Sequence, residues 1–322
     1  SDLNGKIIAV DAYNAIYQFL SSIRQPDGTP LMDNRGRTTS HLSGLFYRNV
    51  ALLSEGIRLI YVFDGEYHEL KGKTHEIRGE GKEKMREKYE DAKDEEDIEA
   101  MGKYARGFSR LTGEMVSESI ELLESMGVGV VMAPGEGEMQ CAQLVREGGA
   151  WAVGSQDYDS LVVGGTRLIQ NLTLARRRKT RSGFVYIAPE LISYEGVLNE
   201  LGITGDQLIA LAILVGSDFN PGGVKGIGPK KALTLVREKK FPVKIFGVLE
   251  EEGKVEFNWK DVFEIFKKPN VSKGVKVKFG GLDEEEVKRV LVEEHDFNLD
   301  RIEKGLGKLR VGRGKSEQKT LF

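Results

Sequence analysis

Short apolar runs alternate, through the first two thirds of the chain, with segments whose apolar positions recur every three or four residues. Residues 6–10 form the first run, which stops at Asp11. Over 12–24 the apolar side chains fall at 12, 15, 16, 19, 20 and 23, the spacing of one helix face. Pro26, Gly28 and Pro30 mark a turn, and 42–53 predicts a second helix ending near Gly56. A second strand, 58–63, ends at Asp64. Helix 111–126 closes at Gly127 and strand 128–132 follows, then helix 139–147 and a short apolar run that ends at Gly154. A fifth strand is expected at 166–173, and the basic run 176–181 reads as a hairpin tip before 184–187. Alternation of this kind predicts an α/β fold with a mostly parallel central sheet and helices on both faces. Beyond it the pattern becomes helical: 206–215, 232–238, 241–249, 259–267 and 283–294. The expected organisation is an α/β core over 1–200, a helical lobe over 201–304 continuing the same compact unit, and a flexible basic tail over 305–322.

One stretch breaks the alternation. Of the 38 residues from 69 to 106, ten are basic and twelve acidic. Such a segment buries little and is expected to be helical but mobile. Net charge is −3, yet basic residues cluster at 176–181, 225–231, 267–268 and 308–315, so a polyanion can be bound locally. One cysteine, Cys141, excludes an intramolecular disulfide framework and fits a reducing interior. The four histidines lack zinc-ligand spacing. No apolar stretch approaches the roughly 20 residues that span a bilayer, and no secretory signal is visible.

Carboxylates supply the candidate chemistry. Asp11 and Asp64 follow the first two strands, Glu136 and Glu138 the third, and Asp157 and Asp159 the fourth. Asp218 follows an apolar helix expected to pack nearby. Any one of them alone reads as a helix cap. Two acids in three residues, twice, exceed what capping requires. Along one edge of a parallel sheet the seven would share a crevice and repel each other unless cations were present. Hard divalent ions such as Mg²⁺ or Mn²⁺ suit all-oxygen ligands, and a pair about 4 Å apart suits in-line displacement at phosphorus. A haloacid-type phosphatase requires Asp-x-Asp after its first strand, where this chain has Asp11-Ala-Tyr13.

Between two predicted helices lies a glycine-rich hairpin with Gly223, Lys225, Gly226, Gly228, Lys230 and Lys231. Its glycines permit a tight turn, and the N–H groups that open the next helix can hold a phosphate. The lysines add charge without base specificity, which suits the backbone of duplex DNA.

Taken together and in order, the motifs at 9–19, 39–48, 61–65, 133–138, 154–160 and 216–228 resemble the flap endonucleases, the structure-specific 5′-nucleases of replication, in their archaeal form. The resemblance covers nearly the whole chain. It implies a two-metal phosphodiesterase that removes 5′ flaps at single-strand/duplex junctions, with 5′–3′ exonuclease activity, in Okazaki fragment processing and repair. Asp11, Asp64, Glu136 and Glu138 match the acids around one Mg²⁺, and Asp157, Asp159 and Asp218 those around the other, with Mn²⁺ able to substitute. Lys71 and Arg78 match basic gateway residues that steer the scissile phosphate, making them, with Asp157 and Asp159, the expected catalytic set. Tyr17 matches an aromatic that stacks on a base, and Arg24 is expected to contact DNA with it. Residues 69–106 would be the helical gateway and cap, and 223–228 a helix-hairpin-helix element that also holds K⁺.

The resemblance also has departures. The family usually carries Pro-Pro where Tyr67-His68 stand, which bears on how the gateway begins. The family's N-terminal segment is shortened or absent, since the sequence opens just before the first strand. Gln318, Leu321 and Phe322 resemble the start of a motif for a PCNA-type sliding clamp, but the chain stops before the usual aromatic pair. A monomeric, nucleoid-associated cytoplasmic enzyme acting on branched DNA is the expectation, with no membrane partner. The rival readings are a related acidic-sheet ribonuclease and a non-catalytic junction-binding scaffold. Seven retained acids disfavour the scaffold, which would gain from losing negative charge near phosphates.

Overall fold

The computed structural model describes residues 3–66, 68–173, 177–180 and 183–319. The chain begins β1 (Ile7–Asp11), α1 (Ala12–Ser22), α2 (Ser40–Ser54) and β2 (Arg58–Phe63). A 3-10 turn (Glu69–Lys71), α3 (Gly72–Asp94), α4 (Ile98–Tyr104) and a second 3-10 turn (Ala105–Phe108) make up the charged stretch. Next come α5 (Gly113–Ser125), β3 (Gly129–Met132), α6 (Gly137–Arg146), β4 (Ala152–Gly154), α7 (Asp159–Val162) and β5 (Arg167–Gln170). The hairpin β6 (Arg177–Thr180) and β7 (Gly183–Tyr186), then β8 (Glu190–Ser193) and α8 (Tyr194–Leu201), complete the α/β part. Helices α9 (Gly205–Val215), α10 (Pro229–Lys239), α11 (Pro242–Glu251), α12 (Trp259–Lys267), α13 (Glu284–Lys288), a π turn (Arg289–Glu293) and α14 (Leu299–Lys319) follow.

Six strands form one sheet in the order β3-β2-β1-β4-β5-β8, parallel except for β8 against β5. Alternate residues of each strand serve opposite faces, as strand geometry requires. Ile8, Val10, Leu59, Tyr61 and Phe63 join α1, α2 and α5 in one core, while Ala9, Ile60, Val62 and Val153 join α6 in another. Helices therefore cover both faces, as the alternation predicted. The connections leave β1 toward β2 on one side and β4 toward β5 on the other, so the sheet's switch point lies between β1 and β4. A crevice opens there beyond the strands' carboxyl ends. A third core joins α9 through α12, with Trp259 stacked on Phe246 at 4.5 Å.

The structure departs from the sequence expectations in four places. Helix α1 stops at Ser22, so Arg24 lies in the following turn, which is closed by a bridge to Pro30. Residues 177–180 of the basic run form strand β6 itself rather than a hairpin tip. Residues 287–309 do not belong with the helical lobe: Val287, Val290, Leu291, Ile302 and Leu306 pack in the first core. Finally, the tail expected to be flexible from 305 is helical through Lys319. Ile302, Leu306 and Leu309 lie on one buried face, and a Cβ at Gly305 would meet the Phe46 ring at 2.6 Å. Glycine serves there to bring α14 close to α2, and not to loosen the chain. Among the described residues no single helix is long and apolar enough to cross a membrane.

Candidate active site

The acids reach the crevice from several elements, and local chemistry explains their poses. Asp11 ends β1 and caps α1, its Oδ1 accepting from the Asn14 N–H at 3.0 Å. The capping role and a place in the cluster are thus compatible, because the second oxygen is left over. Asp64 follows β2, and its Oδ1 accepts the N–H of Gly137 at 2.7 Å. A Cβ at Gly137 would stand 2.6 Å from that oxygen, so glycine is required for the contact. Glu138, in the first turn of α6, is buried and accepts the Ser160 N–H at 3.0 Å, tying β3's acids to α7. Asp159 opens α7 and Asp157 lies exposed in the preceding loop.

Electrostatics show how close these groups are. Burial, followed by the charge of Asp64, pushes the Asp11 carboxyl up to about 7. Burial lifts Asp64 to about 6 against the pull of the Gly137 N–H, with Glu136 adding to the rise. Burial, then Asp218 and Asp157, push Asp159 up to about 6. Glu138 is raised well above the ordinary carboxylate range by burial first and by Asp159 and Asp11 next. Crowded buried carboxylates of this kind attract protons or cations.

Two cations already come from the charged stretch, Lys71 in its 3-10 turn and Arg78 in α3. The Lys71 ammonium bonds the Glu136 carboxylate and lies 3.3 Å from Asp218 Oδ2, while Arg78 Nη2 donates to Asp218 Oδ1 at 2.7 Å. Burial works against the Lys71 charge, yet Glu136 and Asp218 hold its pKa above the ordinary value. Thr74 donates its hydroxyl to the Asp218 carbonyl at 2.6 Å, and the His68 ring meets Phe219 edge-on at 6.1 Å. The base of α3 is thereby docked on the α9–α10 connection. His68 also caps the 3-10 turn by accepting the Leu70 N–H at 3.2 Å; Tyr67 lies outside the described residues.

All seven predicted acids, with Lys71 and Arg78, are brought to one crevice. Among the described residues no three acidic, His or Cys side chains already stand as an ion cage. Lys71 stands between Glu136 and Asp218. An all-oxygen donor set with raised carboxylates fits hard divalent ions.

Tyr17 is half-exposed beside a cavity of about 360 Å³ between α1, α3 and the second 3-10 turn, with Lys82 Nζ 5.0 Å from its ring centre. Arg24 does not join it. Its guanidinium donates to the carbonyls of Leu20 and Gly28 and to Ser109 Oγ, at 2.6–2.7 Å, and holds the turn together. In the hairpin, Gly223 has φ +59° and approaches the Leu214 carbonyl, while Gly226 has φ +78°. Gly228 precedes Pro229 at the start of α10, and Lys225, Lys230 and Lys231 are exposed. Leu321 and Phe322 lie outside the described residues, as does the side chain of Gln318. Sequence reasoning missed Thr74, Phe219 and Asn14. Only Asn14 carried a signal, an amide three residues after a capping Asp.

Comparison with known proteins agrees with this arrangement. Residues 1–85 match the XPG N-terminal domain and 127–218 the XPG I-region, the two regions that supply β1 to α3 and β3 to Asp218. The fold and crevice are those of a structure-specific nuclease. Flap endonuclease 1 of Aeropyrum pernix is 48% identical over 95% of this chain and 88% of its own. That of Pyrococcus furiosus is 47% identical over 99% and 93%. The solved flap endonuclease-1 of Methanococcus jannaschii is 42% identical, with a TM-score of 0.75 over 98% of this chain and 95% of that one. The catalytic core of Rad2 in complex with DNA substrate is 25% identical, with a TM-score of 0.67 over 96% and 94%. This chain belongs to the flap endonuclease 1 family.

Proposed function

We propose that the chain hydrolyses the phosphodiester at the base of a 5′ flap by two-metal catalysis, and trims 5′ ends as an exonuclease, in Okazaki fragment processing and repair. Asp11, Asp64, Glu136 and Glu138 would hold one Mg²⁺ or Mn²⁺, and Asp157, Asp159 and Asp218 the other. Such ions supply positive charge at the reacting phosphate and activate the attacking water. Lys71 and Arg78, freed from Glu136 and Asp218, turn to the scissile phosphate and hold it in line. Tyr17 offers a stacking face to whichever base is next to the cut, which requires no sequence preference. The duplex rests on Gly223, Gly226 and Gly228 and on Lys225, Lys230 and Lys231, where the hairpin would also hold K⁺.

One observation carries this reading: seven carboxylates converge at the switch point with two cations of the gateway helix already among them. The test is cleavage of an end-labelled double-flap DNA with Mg²⁺ or with EDTA. A cut at the junction in Mg²⁺ alone is expected, and an intact flap, or random cutting of single strands, refutes the reading. An RNA flap in parallel separates it from the ribonuclease. Monomeric action in the cytoplasm and clamp binding through Gln318, Leu321 and Phe322 are part of the same proposal. Deletion of 318–322 is expected to abolish clamp stimulation while leaving unassisted cleavage intact.

A further inference from the structure

Asn14 stands where the two halves of the carboxylate cluster meet. Its backbone N–H goes to Asp11 Oδ1 at 3.0 Å. Its side-chain Nδ2 donates to Asp157 Oδ2 at 2.8 Å, and its Oδ1 accepts the Gln156 N–H at 3.3 Å. The orientation of the amide is fixed by these partners. Turned over, it would face an N–H with its NH₂ and a carboxylate with its oxygen, losing both bonds. The loop that carries Asp157 is pinned on its other sides by Ser155 Oγ, which accepts the Asp157 N–H at 3.1 Å, and by Gln170 Nε2, which donates to the Gln156 carbonyl at 2.8 Å. Asp157 itself is exposed, and Asn14 is the one donor bonded to its carboxylate among the described residues.

We infer that Asn14 is a positioning residue that fixes Asp157 as a ligand and sets its distance from Asp11. The inference rests on the two-metal reading and adds to it. One residue occupies one oxygen of Asp11 and one of Asp157, so each acid presents its remaining oxygen to the crevice from a defined direction. Without Asn14 the exposed Asp157 side chain is free to rotate toward solvent, and its rotamer must be ordered each time a cation binds. Hydrogen-bond partners of metal ligands act in this way, and their loss typically weakens metal binding by about 10- to 100-fold.

The test is Asn14→Leu, close in shape but without donor or acceptor, beside Asp157→Ala as a control. Mn²⁺ binding to the DNA-free protein is titrated by EPR, and flap cleavage is followed against Mg²⁺ concentration. For Asn14→Leu we expect the weaker Mn²⁺ step to loosen by about tenfold or more. The Mg²⁺ midpoint should rise in parallel while KM for the flap at saturating Mg²⁺ stays put. Asn14→Ser, which keeps a polar residue too short to reach Asp157, should behave alike and serves if the leucine variant does not fold. Unchanged Mn²⁺ binding in a folded Asn14 variant, with binding lost in Asp157→Ala, overturns the role of Asn14 and spares the two-metal reading. Intact Mn²⁺ binding in Asp157→Ala overturns that reading itself.

Discussion

Consider Asp159→Asn in the metal-free protein. Burial, together with Asp218 and Asp157, raises the Asp159 carboxyl from 3.8 to about 6. At pH 8 the group is ionised in the folded and unfolded states alike, so the folded state bears the whole cost of that displacement. Two pKa units, at about 1.4 kcal/mol each, set an upper value of ~3 kcal/mol. The sign follows from proton binding: between pH 3.8 and about 6 the folded state holds the proton and the unfolded state has lost it. Stability contributed by this group therefore falls as pH rises through that window and stays low above it. Asparagine removes the charge while keeping the shape. Thermal melts in EDTA at pH 8 should show the variant more stable, by a few degrees at roughly 2–4 °C per kcal/mol in larger domains. Repeated at pH 4, the gain should shrink toward zero. With Mg²⁺ present the order should reverse, because the natural side chain then gains a ligand bond and the variant does not. A lower melting point for Asp159→Asn in EDTA at pH 8, or a gain of equal size at both pH values, would refute the picture of uncompensated crowding.

Lys71→Ala removes a partly buried ammonium from Glu136 and Asp218. Mn²⁺ affinity without DNA should rise by EPR titration, while single-turnover cleavage should slow by about 10²-fold or more, as for loss of a charge-stabilising donor; unaltered Mn²⁺ affinity would show that the ammonium does not compete for the acids. Replacing the exposed Lys230 and Lys231 together by alanine should weaken binding equally for all flap sequences and reduce the slope of log K against log salt by about 1–2. Far from the crevice, Glu118 accepts from His41 Nε2 at 3.1 Å and lies 3.3 Å from His295 Nε2. Burial opposes its charge, but the neighbouring His295 and the bond from His41 hold its carboxyl at about 2. Glu118→Gln should cost about 1–3 kcal/mol at neutral pH by chemical denaturation. That gap should close as pH falls from the ordinary 4.5 toward about 2, where the natural carboxylate loses its charge.

Strands and acids were legible because their signals are local. Short apolar runs read as strands buried on both faces, as Ile8 and Ala9 in separate cores now are, and parallel strands ending in acids imply one shared edge. The same local reading mistook Gly305 and its neighbours for a loose tail. A glycine that loosens a chain and a glycine that admits Phe46 into a helix crossing look alike until the partner helix is placed. Arg24 carries structural work that no local pattern announces: its guanidinium donates to the carbonyls of Leu20 and Gly28 and to Ser109 Oγ. What no local pattern could supply is the pairing of α3 with Asp218, 140 residues away along the chain from Arg78.

That pairing says most about how the enzyme is built. Asp218 follows α9 beside the hairpin, and the other six acids lie at or just beyond the carboxyl ends of β1 to β4. Lys71, Thr74 and Arg78, on successive turns at the base of α3, all touch Asp218 or its carbonyl. Helix α3 is therefore anchored on the one acid of the seven that lies beside the hairpin. In the proposed mechanism, a cation bound by Asp157, Asp159 and Asp218 would compete with Lys71 and Arg78 for the Asp218 carboxylate. Under the proposed two-metal reading, metal loading and the position of α3 would be linked through one side chain, since a cation and the two basic side chains would compete for Asp218 and a loss on one side would favour the other.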